Sequence, residues 1–116
     1  MSLHDSLAVV LGLVFAAGGV LKLVGRGPAA ELGSRLGLSP ALLHFIGVCE
    51  LGGGVGLLVG AAGWTALGAL AAAGLTLLTL SGVVAHLRAR EPVSAMLPAV
   101  VLGAGSAYLL AGFLGG

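Results

Sequence analysis

Four apolar runs, Leu7 to Val24, Ala41 to Ala62, Trp64 to Leu87 and Ser94 to Leu114, divide the chain. Each is close to the roughly 20 residues that a helix needs to cross about 30 Å of hydrocarbon. No water is at hand inside lipid for backbone N–H and C=O groups, so each run is predicted to be a helix that satisfies its own hydrogen bonds. The competing reading, core helices of a soluble domain, fails on surface: 59% of the 116 residues are hydrophobic and 8% are charged, too few polar side chains to cover so small a fold in water. The expected fold class is therefore all-α, a bundle of four transmembrane helices in a single integral membrane domain whose first partner is the lipid bilayer.

A formal charge of +1, with no segment in which basic and aromatic residues interleave, excludes nucleic acid as a partner. The lone cysteine, Cys49, has no second thiol for a disulfide or a metal pair. Only His4 and Asp5 carry ionisable side chains ahead of the first run, and no A-x-A-like cleavage site precedes Lys22, so that run reads as a retained helix and not as a signal peptide.

The boundaries carry their own signals. Ser39-Pro40 offers an N-cap and a first-turn proline for the second span, and Gly63 separates the second span from the third by a turn so short that the two must be antiparallel neighbours. Between the first and second spans, Ala29 to Leu36 is either a short interfacial helix, with Glu31 and Arg35 on one face, or a simple loop. Pro98 either sits in the first turn of the last span or kinks it. Threading four spans puts Lys22, Arg26, Arg35, Arg88 and Arg90 on one side of the membrane. The excess of Lys and Arg makes that side cytoplasmic and leaves both termini outside, with Trp64 and Tyr108 toward the outer interface. The segment Gly18-x-x-x-Lys22-Leu23-x-x-Arg26-x-Pro28 matches Gly82-x-x-x-His86-Leu87-x-x-Arg90-x-Pro92. True duplication would give two parallel helical hairpins related by an axis along the membrane normal, while chance alignment in a chain rich in Gly, Ala and Leu produces the same match.

Glu50 is the residue with chemical consequence. At about 1.5 Å per residue it stands ~13 Å below the basic surface, too deep for a short side chain to reach water. An ionisable group there is costly by about 3 kcal/mol, so it is expected to face the bundle interior and to pair, hydrogen-bond or take up a proton, serving either as a catalytic group or as a structural carboxyl. Gly47, Gly53 and Gly54 share its helical face and leave a cleft or a tight helix contact beside it. The stripes that could meet it are Phe15, Gly18, Lys22 and Gly25 on the first span and Thr76, Thr79, Gly82 and His86 on the third, with Thr79 level with the carboxyl. Lys22 reaches either inward to Glu50 or outward to headgroups. His86 is either a second polar wall or an ordinary interfacial histidine, and His44, offset from the Glu50 face, is interfacial.

No ligand spacing for a metal is recognisable, and Cys49, about 100° around the helix from Glu50, reads as a buried inert thiol. The run Gly52-x-x-x-Gly56-x-x-x-Gly60 makes a flat stripe suited to helix packing within the bundle or against a second copy.

Phe15-x-x-x-Gly19-x-x-Lys22-Leu23, Leu36-Gly37-Leu38, Gly47-x-x-Glu50-Leu51 and His86-Leu87-Arg88, in this order and spacing, resemble the DoxX-like family of small four-helix membrane proteins. The resemblance covers most of the chain. It implies a membrane subunit associated with redox systems, similar to the quinone-linked membrane part of thiosulfate:quinone oxidoreductases, and it puts Lys22, Glu50 and His86 on the family's recurring polar positions. The sequence carries no cofactor motif, haem ligand pair or redox cysteine pair of its own, so electrons would pass through oxidoreductase partner subunits.

The leading expectation is a membrane subunit that binds a lipid-soluble molecule, a quinone among the candidates, in a polar cleft where Glu50 exchanges a proton or hydrogen bond and Lys22, Thr79, His86 and Phe15 contact the ligand. The alternatives are a stand-alone isomerase, cyclase or hydrolase using Glu50 as general acid or base, a small oligomeric transporter or channel, and a structural assembly factor.

Overall fold

The computed structural model describes residues 2–25 and 27–115; Arg26, counted above among the basic residues of one side, lies outside the described residues. Five helices follow one another among the described residues: α1 Leu3–Val24, α2 Pro28–Leu36, α3 Pro40–Ala61, α4 Thr65–Arg88 and α5 Val93–Gly115. All but α2 are long and apolar enough to cross a membrane. At about 1.5 Å per residue they are ~33 to 36 Å long, in keeping with the 40 Å long dimension of the molecule.

Local chemistry sets the ends. Ser2 Oγ accepts from the Asp5 N–H at 3.1 Å and starts α1 ahead of its apolar run. Ser39 Oγ accepts from the Leu42 N–H at 3.1 Å, with Pro40 in the first turn of α3, where its missing N–H leaves no bond unmade. Loss of this cap in Ser39→Ala is expected to lower stability by about 1 kcal/mol, read as an earlier midpoint of denaturant unfolding in mild detergent. Gly25 and Gly37 close α1 and α2 with φ of 68° and 69°, the left-handed conformation in which a Cβ is unfavourable. The segment after Gly27 is a helix and not a loop: its Gly33 faces Leu43 of α3, with 3.3 Å between Leu43 Cδ2 and the place a Cβ would occupy. Pro98 lies beyond the first turn of α5 and cannot donate to the carbonyl one turn before it.

The four long helices alternate in direction and close into a ring. With a bilayer as solvent there is little hydrophobic gain in bringing helices together, so association rests on close backbone approach at small residues. Along α1 and α3 the approach is at Gly12 with Gly54 and at Gly19 with Gly47. Between α3 and α4 it is at Gly53 with Leu75, Gly56 with Ala71 and Gly60 with Gly68. Gly103 of α5 meets Thr79 of α4, and Leu11 of α1 meets Gly105 of α5. The dry centre consists of Ala8, Leu11, Phe15, Leu57, Ala72, Leu75, Leu109 and Phe113. Large apolar side chains also point outward on every span, among them Leu13, Phe45, Leu77 and Val101, as a surface in contact with acyl chains requires. The result is a multi-pass membrane bundle.

Candidate functional site

The deep carboxylate of α3 is turned toward α1. Lys22 Nζ lies 2.9 Å from Glu50 Oε1 and donates to Oε2 at 3.1 Å. The two side chains retain 16% and 14% of their accessible surface, so the pair sits largely out of solvent and of lipid. Lys22 therefore reaches inward, and the charges neutralise one another where neither is well solvated. The contact depends on two glycines. A Cβ at Gly18 would stand 2.9 Å from Glu50 Oε2, and one at Gly47 would stand 3.1 Å from the Lys22 Cβ, so both helices are pared down where the ion pair crosses between them.

Other expected neighbours divide between two interfaces. Gly47 and Gly54 share the α1-facing side with Glu50, but Gly53 is turned to Leu75 of α4. Phe15 is buried in the apolar centre. Thr79 is buried against the backbone of Gly103 on α5, and its hydroxyl donates to the carbonyls of Leu75 at 3.0 Å and Thr76 at 2.9 Å. Gly25 is the cap of α1, and Gly82 has open space around it.

His86 is 8% exposed, and its Nδ1 is buried with no hydrogen-bond partner among the described residues. A buried ring nitrogen without a hydrogen-bond partner carries a desolvation cost. Nearby in the chain, the Glu91 N–H donates to the His86 carbonyl at 3.0 Å, and the Glu91 carboxylate faces Arg35 of α2 at 3.6 Å. His44 is exposed, and its two ring nitrogens contact the carbonyls of Pro40 at 2.9 Å and Leu23 at 3.0 Å, joining the start of α3 to the end of α1.

Two of the depressions on the surface of the described residues are lined by neither Glu50, Lys22 nor His86. The larger, about 540 Å³, runs along α3 and α4 and includes Gly52, Gly56 and Cys49. Cys49 is thus half-buried at a groove and not enclosed. Of the glycine stripe, Gly56 and Gly60 are packed on α4 within the same chain, while Gly52 has no neighbour within 4 Å. Among the described residues no three His, Cys, Asp or Glu side chains converge as a metal site would need.

The second depression, about 510 Å³, lies at the end of the bundle away from the Lys22–Glu50 pair and contains His4, to which the sequence reading assigned no site role. Its contact partner Leu109 is 105 residues away, so no spacing rule could have paired them. The Arg35 to Glu91 contact escaped for the same reason.

No curated protein and no solved structure matches the chain. A sequence model of the DoxX-like family matches residues 6–111, a stretch that takes in most of each of the four spans and both partners of the ion pair. With four membrane-crossing helices in the expected order and that match along nearly its whole length, the chain belongs to the DoxX-like family.

Proposed function

We propose that this DoxX-like protein is the membrane-embedded subunit of a redox system and binds a lipid-soluble quinone at the Lys22–Glu50 pair, with the basic end of the bundle in the cytoplasm. The observation that carries the reading is the ion pair itself, a donor and an acceptor 2.9 Å apart within the membrane-spanning part of the fold. Lys22 brings three N–H donors for a quinone carbonyl, and the Glu50 carboxylate has lone pairs for the hydroxyl of the reduced form. A site of this kind meets both redox states of a quinone and has a carboxylate to hold the proton that accompanies reduction. Access is proposed from the basic end, where the unpartnered Nδ1 of His86 would complete its hydrogen bonding on the incoming head group. Electrons would be carried by partner subunits.

The orientation rests on Lys22, Arg35, Arg88 and Arg90 falling at one end of the bundle, the distribution that favours the cytoplasmic side. Glu50→Gln keeps the shape of the side chain and removes its charge. In protein purified into nanodiscs, quinone retention measured by mass spectrometry is expected to fall about tenfold, the loss of one charge-assisted hydrogen bond, and turnover with the redox partner is expected to fall with it. Retention and turnover equal to wild type in a variant that remains folded would refute the reading.

A further inference from the structure

The outer end of the bundle, remote from the Lys22–Glu50 pair, holds a second site, and we infer that it receives a primary ammonium group. The inference starts from how firmly His4 is seated. A Cβ on Gly112 would fall on the His4 ring, so α5 has no side chain where the imidazole lies. Phe113 packs edge-on against the same ring, with centroids 4.6 Å apart and an interplanar angle of 87°. His4 Nε2 contacts the Leu109 carbonyl oxygen at 2.9 Å. A carbonyl can only accept, so Nε2 is the protonated nitrogen, and in the neutral ring Nδ1 presents a lone pair. Nδ1 has no hydrogen bond to a described residue, and the ring lines the depression.

The depression of about 510 Å³ beside this ring is lined by Asp5, Thr65, Tyr108, Gly112 and Phe113 as well. Its groups mostly accept. Asp5 is half-buried, and neither of the ion pairs among the described residues involves it, since the cations of those pairs, Lys22 and Arg35, meet Glu50 and Glu91. Tyr108 also lines the depression, and the Tyr108 and His4 ring centroids are 6.0 Å apart. A carboxylate with no counter-charge among the described residues, an imidazole lone pair and a tyrosine ring together complement a group that is positive and has several N–H donors. A primary ammonium has both properties. A phosphate or carboxylate would meet the Asp5 charge, and an apolar chain would leave the acceptors unpaired.

The ammonium could arrive on a free amine in the outer aqueous phase or on the headgroup of phosphatidylethanolamine, and two arms of one experiment separate these sources. Trp64, the single tryptophan, is exposed and directly precedes Thr65 at the rim, so its fluorescence reports occupancy. In the first arm, protein in phosphatidylcholine nanodiscs is titrated with ethylammonium chloride against matched sodium chloride. In the second, nanodiscs of equal phosphatidylethanolamine and phosphatidylcholine are used, and native mass spectrometry counts the lipids retained. Saturation in the first arm identifies a free amine, and phosphatidylethanolamine enrichment in the second without saturation in the first identifies the headgroup. In either case Asp5→Asn is expected to weaken the response about tenfold and Tyr108→Leu to weaken it less. Glu50→Gln, at the other site, leaves it unchanged, so failure here is separable from failure of the quinone reading. Absence of both saturation and enrichment, or a wild-type response from folded Asp5→Asn, overturns the proposal.

Discussion

Lys22→Met is expected to destabilise the detergent-solubilised protein by about 3 kcal/mol, and adding Glu50→Gln to it is expected to restore more than half of that loss. Removing the lysine leaves a carboxylate with no counter-charge, at a depth from which its short side chain cannot reach water. The pair is 2.9 Å apart and about one-seventh exposed on each side, so each charge depends on the other for most of its solvation. The reverse single change is milder. Lys22 is on the last turn of α1, and without Glu50 its long stem can swing its ammonium out to the headgroups, so Glu50→Gln alone should cost about 1 kcal/mol. This asymmetry is the signature to look for in a double-mutant cycle of equilibrium unfolding. Equal losses for the two single variants, or no recovery in the double variant, would show that the two charges are not coupled in the folded protein.

A second large effect is expected from a single methyl group. A Cβ at Gly54 would stand 2.5 Å from the Gly12 carbonyl oxygen and 2.6 Å from the Ala16 nitrogen, both backbone atoms on α1. No rotamer change relieves a clash with backbone, so α1 and α3 must separate along their whole contact. Gly54→Ala should therefore cost about 3 kcal/mol, at or beyond the upper end of ordinary overpacking. Gly52→Ala, two residues away, meets nothing within 4 Å and should be neutral, or stabilising by up to about 1 kcal/mol through helix propensity. Thermal unfolding of the two variants side by side in one detergent gives the comparison. A Gly52→Ala variant as damaged as Gly54→Ala would mean that the groove along α3 and α4 is filled in the purified protein.

These two expectations also mark how far the sequence could be read. Depth along a helix follows from a fixed rise per residue, so the burial of Glu50, the alternation of the four spans and the gathering of the basic residues at one end were legible from residue numbers alone. The caps were legible because they are local: Ser39-Pro40 and Gly63 act on their immediate neighbours. Position around the helix was legible only relative to the helix itself. Gly53 and Gly54 are successive residues close to one face, yet Gly53 is packed on α4 and Gly54 on α1. Thr79 shares the depth of Glu50 but is turned to Gly103 of α5.

What the amino-acid sequence by itself determined is therefore the environment and the layers: a bilayer as solvent, four crossings, a carboxylate held inside them, and the family to which that order of residues belongs. What only the tertiary structure decided is who meets whom. It brought Lys22 inward to Glu50, left His86 Nδ1 without a partner among the described residues, laid Arg35 against Glu91, and seated His4 on Gly112 across nearly the full length of the chain. The physical reason is that hydrophobicity and helix geometry act along one segment at a time, whereas the rotation of each helix is set jointly by every side chain it must pack against, and that joint condition has no signature in any local stretch of sequence.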